Sequence, residues 1–348
     1  MTDSTATDLR GRLREVPKAE LHLHLDGSLR PSTILDLADD AGVTLPYGDA
    51  DSLYDYLFVQ DGRNLVDYLK RFDLTLSVMQ TAESLERTAR ELCEDAAAEN
   101  VRYLEIRYSP ILHQQGDLTL EEAVEAPLRG VRQAEAALGV KANLIICGIR
   151  NLPPDTSVRL ADLAVGFKDR GVVAFDLAGG EAGNPPTDHA EAFRIAREAN
   201  LNVTIHAGEA AGAESIAQAL HGCGAHRIGH GTRLYEDPDL QAYVNDHQVP
   251  IEVCLTSNVQ THAVESFEEH PVRGYFDDGL LVSLHTDNRL MSGTTMTEEY
   301  ARAAEHLRFS DRELVELILN GFRSAFLPRR EKLALLAQVG GEIRSFAS

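Results

Sequence analysis

The chain contains no tryptophan, so its near-UV absorbance and emission rest on tyrosine. No apolar run reaches the roughly 20 residues that a membrane-spanning helix needs. The opening stretch, Met1 to Thr7, is small and polar and lacks the apolar core of a secretory signal. Basic residues are outnumbered: 33 Lys and Arg stand against 55 Asp and Glu, a formal net charge of −22. That balance argues against non-specific binding to nucleic acid and against an anionic membrane surface. The four cysteines, Cys93, Cys147, Cys223 and Cys254, are far apart and form no C-x-x-C pair. Cys147 and Cys254 lie in apolar, strand-like runs, so free buried thiols in a reducing cytoplasm are expected. No G-x-G-x-x-G follows an early strand and no P-loop is present, which removes the common nucleotide-binding sheets. Low-complexity segments and short repeats are absent as well.

What is present begins with Glu20-Leu21-His22-Leu23-His24-Leu25-Asp26-Gly27-Ser28. The stretch alternates strictly, which places Leu21, Leu23 and Leu25 on one face of a strand and His22, His24 and Asp26 on the other. Seven further strand-like runs follow: Val101 to Ser109, Ala142 to Ile149, Val172 to Leu177, Asn202 to Ala207, Arg227 to Gly231, Pro250 to Cys254 and Leu281 to Thr286. Helix-like segments separate them, and three more close the chain. This order predicts an α/β protein built as a single (β/α)8 TIM barrel over residues 1–348. The segment 31–100 is too long for an ordinary loop. It reads as a helical cap inserted after strand 1.

In such a barrel chemistry collects at the C-terminal ends of the strands. The polar outliers fall there: His22, His24 and Asp26 on strand 1, Gly179 after strand 4, His206 and Glu209 at strand 5, His230 on strand 6 and Asp287 after strand 8. Three neutral imidazoles and one carboxylate suit Zn²⁺, and His22, His24, His206 and Asp287 supply that set. Glu209, three residues past His206, can approach the site as a proton donor without binding the ion. His230 can orient or deprotonate a water. His113, His189, His226, His247 and His262 lack such placement and are expected on the surface or in loops. His285 shares a strand face with Asp287 one layer deeper, where a hydrogen-bonded core role is expected. The acidic runs Glu91 to Glu99 and Glu265 to Glu269 read as solvated faces.

Taken in order, Glu20–Ser28, His206-Ala-Gly-Glu209, Arg227-Ile-Gly-His-Gly231, Thr256-Ser-Asn258 and Ser283-Leu-His-Thr-Asp287 resemble the adenosine deaminases of the metal-dependent hydrolase superfamily. The likeness runs from about Pro17 to the C-terminal helices. The H-x-E and P-C-x-x-C pattern of the zinc cytidine deaminases is absent. The resemblance implies one Zn²⁺ per subunit on His22, His24, His206 and Asp287. It implies Glu209 as the acid that protonates purine N1 and His230 as the residue beside the attacking oxygen. His24, Asp26 and Gly179 match substrate contacts, Asp26 to a ribose hydroxyl and Gly179 through its backbone to the purine edge. The implied reaction is hydrolysis of adenosine, and of 2′-deoxyadenosine, to the inosine form and ammonia, with a small purine nucleoside as the partner. Three positions depart from the common pattern: Asn288 where many members carry a second aspartate, His285 where many carry Asn, and Leu255 where many carry Pro. Asn288 leaves open adenine or a modified adenine nucleoside such as aminodeoxyfutalosine as substrate. An inactive barrel that only binds a purine nucleoside is the alternative of a different class, and the oligomeric state stays open.

Overall fold

A computed structural model describes residues 2–59 and 65–347. Among the described residues eight strands form one sheet in sequential order: β1 (Lys18–His24), β2 (Val101–Tyr108), β3 (Lys141–Ile149), β4 (Val172–Ala178), β5 (Asn202–Ala207), β6 (Arg227–His230), β7 (Ile251–Val253) and β8 (Val282–Leu284). Each neighbouring pair is parallel. A parallel bridge between Leu23 and Asp287 joins the last strand's extension to the first. The Asp287 N–H donates to the His22 carbonyl at 2.9 Å, and the His24 N–H donates to the Asp287 carbonyl at 2.7 Å. The sheet is therefore the (β/α)8 barrel that the alternation of elements predicts.

The helices are α1 (Thr2–Glu15), α2 (Pro31–Ala41), α3 (Ala50–Leu57), α4 (Leu65–Leu69), α5 (Phe72–Val78), α6 (Ala82–Ala97), α7 (Leu120–Leu138), α8 (Pro154–Gly166), α9 (Ala190–Glu198), α10 (Ala213–Ala217), α11 (Pro238–Asp246), α12 (Leu255–Gln260), α13 (Val272–Asp277), α14 (Met296–Leu307), α15 (Asp311–Ser324) and α16 (Arg329–Ser345). Local chemistry sets several of their ends. Thr119 and Glu122 form a capping box at the start of α7, and Thr81 with Ser84 does the same for α6. Helix α6 packs along α7 and against β2, as an outer barrel helix does. Helices α4 and α5 instead turn Leu65, Tyr68, Leu69, Phe72 and Leu76 towards the mouth of the barrel. Within the insertion, residues 60–64 lie outside the described residues. No helix among the described residues is long and apolar enough to cross a membrane.

Several expectations are corrected. Helix α1 was not expected. Helix α12 after β7 was not expected either: Leu255 to Gln260 close their own i to i−4 bonds. His113 and His189 are buried rather than superficial: the His113 Nδ1–H donates to the Met79 carbonyl at 2.8 Å, and His189 Nδ1 lies 2.8 Å from Ser157 Oγ. Glu99 is buried too, accepting from the Thr297 N–H at the start of α14 and pairing with Arg289. His285 has the expected core role, with its Nδ1 accepting from the Leu21 N–H at 3.0 Å and its Nε2 2.9 Å from Ser283 Oγ. All four cysteines are free and buried.

Apolar residues wrap the barrel, but its interior below the mouth is charged. Arg107, Arg227, Glu105, Asp176 and Glu252 are all within one per cent of full burial. Arg107 Nη1 donates to Asp176 Oδ2 at 2.9 Å, and its Nη2 to Glu252 Oε2 at 2.8 Å. Arg227 ties Glu252 to Glu105, with both contacts at 2.5 Å. Buried charges persist only when paired, because desolvation otherwise dominates. Burial by itself would raise Asp176, yet His206 and Arg107 beside it hold its carboxyl well below the usual range. Replacing Arg107 by Met strips Asp176 of its buried guanidinium and leaves Glu252 with Arg227. The expected cost is about 3–5 kcal/mol, the range for breaking a buried pair from one side. Urea unfolding of the metal-free protein measures it, and a loss below about 1 kcal/mol, typical of an exposed pair, would contradict this role.

Candidate active site

Strand geometry delivers the site. His22 and His24 are two apart on β1 and so project to the same side. His206 comes from the end of β5, His230 from the end of β6 and Asp287 from the extension of β8. His230 and Asp287 hold φ of 65° and 62°, in the left-handed region that non-glycine residues seldom enter. Both are the points where a strand stops and its side chain is aimed at the barrel axis. Among the described residues, His22, His206, His230 and Asp287 each offer a ligand atom, and these atoms lie within 4.8 Å of one another. His24 joins them: its Nε2 is 3.1 Å from His206 Nε2 and 3.4 Å from Asp287 Oδ1.

The partners behind His22, His206, His230 and Asp287 sort these four groups. The His22 Nδ1–H faces Glu252 Oε2 at 2.9 Å, and the His206 Nδ1–H faces Asp176 at 3.1 Å. A carboxylate accepts only, so each ring keeps its proton on Nδ1 and turns a bare Nε2 lone pair into the site. His22 Nε2 is buried, has no hydrogen-bond partner among the described residues and lies 3.3 Å from Asp287 Oδ1. Ser257 Oγ donates to Asp287 Oδ2 at 2.6 Å, which leaves Oδ1 for the site. Orphaned lone pairs and a free carboxylate oxygen converging in this way fit a divalent cation of the zinc type.

His230 is backed differently. The Val272 N–H donates to His270 Nδ1 at 3.1 Å, so the proton of the neutral His270 ring is on Nε2. That Nε2–H donates to Asn258 Oδ1 at 3.1 Å, which orients the amide, and Asn258 Nδ2–H then donates to His230 Nδ1 at 2.9 Å. A backbone donor at the root of the chain thus puts the His230 proton on Nε2, facing the site. Such a ring donates a hydrogen bond inward and has no lone pair there for a metal. Burial, and then the neighbouring His22, push His230 well below its ordinary value and keep it neutral.

Glu209 Oε2 stands 3.6 Å from His230 Nε2. Burial pushes its carboxyl well above the usual range, and the charges of Asp287 and Glu181 add to the push. Burial, with a contribution from Asp287, also raises Asp26 to about 7. His24, Asp26, Gly179, His206, Glu209, His230, Asp287 and Asn288 all line one cavity of about 200 Å³, roofed by α4 and α5. It shares Leu65, Asn151 and Glu209 with a wider vestibule of about 830 Å³ over the loops after β4 to β7. The structure thus gathers every site residue that the sequence nominated.

Residues that sequence reasoning missed lie behind that ring: Asp176, Glu252, Arg107, Asn258, His270 and Glu181. For Asp176 and Glu252 a signal existed, since each interrupts an apolar strand run with a charge. Asn258 stands in a quoted motif, but nothing local points from it to His270.

A family model described as adenosine deaminase matches residues 17–341. A Dictyostelium discoideum protein named "Probable adenosine deaminase" is 43% identical over 316 residues, 90% of this chain, although the chain spans only 41% of that protein. An adenosine deaminase of Mycobacterium sp. (strain JLS) is 43% identical over 345 residues, covering 94% of this chain and 95% of its own. Among solved structures, an adenine deaminase from Arthrobacter aurescens superposes with a TM-score of 0.88 at 31% identity, covering 94% of this chain and 99% of that one. The chain belongs to the adenosine deaminase family.

Proposed function

We propose that this protein is a cytoplasmic, zinc-dependent aminohydrolase that converts adenosine, and 2′-deoxyadenosine, to the inosine form and ammonia. One observation carries the reading. A buried carboxyl whose proton burial favours keeping, Glu209, shares a cavity with imidazoles, two of which have lone pairs freed by the carboxylates behind them. His22, His24, His206 and Asp287 are the residues that would hold one Zn²⁺. The chemistry such an ion supplies is a nucleophilic water at neutral pH.

The chain's own residues do the rest. A purine amino group leaves poorly while the ring stays aromatic. Glu209 delivers its proton to ring nitrogen N1, which makes C6 electrophilic. His230, an inward donor, orients the incoming oxygen rather than taking its proton. Asp26 holds a ribose hydroxyl, which favours a nucleoside over the free base, and the Gly179 backbone meets the purine edge. The φ of +94° at Gly179, with Asn151 Oδ1 3.0 Å from where a Cβ would stand, suits a residue whose main chain approaches a ligand. Within the insertion 31–100, helices α4 and α5 act as the lid that keeps other water out. Four free, buried cysteines support the cytoplasmic location.

Purified protein mixed with adenosine should lose the near-UV absorbance of adenine, with release of ammonia in equal amount. Glu209→Gln keeps shape but has no proton to deliver, so turnover should fall by roughly 10²–10⁴-fold with metal content unchanged. Normal turnover in that variant, or loss of the metal, would remove Glu209 from this role.

Asn288 gives the second test. It is buried at the cavity wall, its Oδ1 has no partner among the described residues, and a Cβ on Gly27 would meet that oxygen at 1.8 Å. Glycine at 27 therefore makes room for this side chain. An amide donates to purine N7 at any pH, whereas an aspartate must first be protonated. Asn288→Ala should weaken transition-state binding of adenosine by about 1–3 kcal/mol and barely affect 7-deazaadenosine. Equal losses on both substrates would place Asn288 elsewhere in the mechanism.

A further inference from the structure

Glu181 stands two residues beyond Gly179 in the loop after β4 and is buried, 3% exposed. Four consecutive backbone N–H groups of the loop after β5 converge on its carboxylate. The Gly208 N–H donates to Oε1 at 2.7 Å. The N–H groups of Glu209, Ala210 and Ala211 donate to Oε2 at 3.0, 2.6 and 2.9 Å. Successive N–H groups wrapped round an anion form a nest, and bonds to a charged acceptor are stronger than neutral ones. Here the anion belongs to the protein.

The loop needs that anchor. It leaves β5 through Gly208, whose φ of +76° turns the chain sharply, and it has no helical bonds of its own before α10. Its other ties are on the carbonyl side: the Thr232 hydroxyl and the Arg233 N–H both donate to the Gly208 oxygen. Two of the four anchored N–H groups belong to Glu209 and its successor, so Glu181 fixes the torsions that aim the Glu209 side chain. The same carboxylate ties this loop to the β4 loop, whose Gly179 lines the cavity opposite.

We propose that Glu181 is a positioning residue for the deamination: it holds residues 208–211 so that the Glu209 carboxyl meets the substrate's ring nitrogen, and it acts through Glu209 alone. This inference rests on the reading of Glu209 as proton donor. Glu181→Gln keeps the length of the side chain but points an amide N–H₂ at backbone donors, so the loop must shift. Misplacing a reacting group by about 1 Å can cost on the order of 10²-fold.

The test is a double-mutant cycle of Glu181→Gln and Glu209→Gln on the metal-loaded protein with adenosine. Glu181→Gln should lower kcat by on the order of 10²-fold, with KM and bound metal unchanged. Added to Glu209→Gln it should cost nothing more, because the donor it positions is already gone. Glu181→Asp, which keeps the charge but is one methylene short, should retain more activity than Gln, and it serves as the variant if Gln does not fold. Multiplying losses in the double mutant, a raised KM, or lost metal would show a general structural role and overturn the proposal. So would a Glu181→Gln variant as active as wild type while Glu209→Gln is crippled. If Glu209→Gln itself turns over normally, the reading of Glu209 falls first and the proposal with it.

Discussion

Two main-chain hydrogen bonds join Asp287 to His22 and His24, at 2.9 and 2.7 Å, and the barrel closes through them. The seam between first and last strand therefore runs through the site itself. Asp287 takes a left-handed backbone to make that bridge, which turns its carboxylate inward against the two histidines of β1. Closure of the sheet and convergence of the donors are a single event. Asn288 and Arg289 follow at once, so the same bridge places the amide at the cavity wall and sends the guanidinium back to Glu20 at 2.6 Å.

Beneath the seam, the usual aliphatic filling of a barrel gives way to arginines and carboxylates. Arg107 alone contacts both Asp176 and Glu252, the carboxylates behind His206 and His22. One guanidinium thus sets two ring orientations from opposite sides of the barrel. The layer is costly to desolvate, and its value lies in geometry: rings held from behind cannot rotate their lone pairs away. His230 is held from behind by an amide instead, and the contrast separates an inward donor from rings that offer a lone pair, although they stand only about 5 Å apart, with centroids 4.8 Å from His22 and 5.2 Å from His206.

Much of this was legible in the sequence. Strict alternation over Glu20–Asp26 marked β1 and the direction of its histidines, and polar residues at strand ends named the ring of the site. The pattern Thr119-x-x-Glu122 is visible in the sequence, and it is the capping box that starts α7. What periodicity missed has physical reasons. A charge inside an apolar run, such as Asp176 or Glu252, looks like noise until the barrel brings its partner from another strand. Glu99 looked solvated because its partners, Arg289 and the start of α14, lie some two hundred residues away. His113 and His189 looked superficial because the groups that bury them, Met79 and Ser157, come from elements 34 and 32 residues earlier. Helix α12 was hidden in a segment that also suits a strand end. The proton position on His230 depends on Val272, forty-two residues later, and no local pattern encodes that.

Diffraction at the zinc absorption edge, from crystals of the protein loaded with Zn²⁺, tests the central claim most directly. The expected map has one anomalous peak per chain. It should lie about 2.0–2.1 Å from Nε2 of His22, His24 and His206 and about 2.0–2.2 Å from Asp287 Oδ1, with His230 outside bonding distance. A peak bonded to His230 in place of His24, or no peak at the seam between β1 and Asp287, would contradict it.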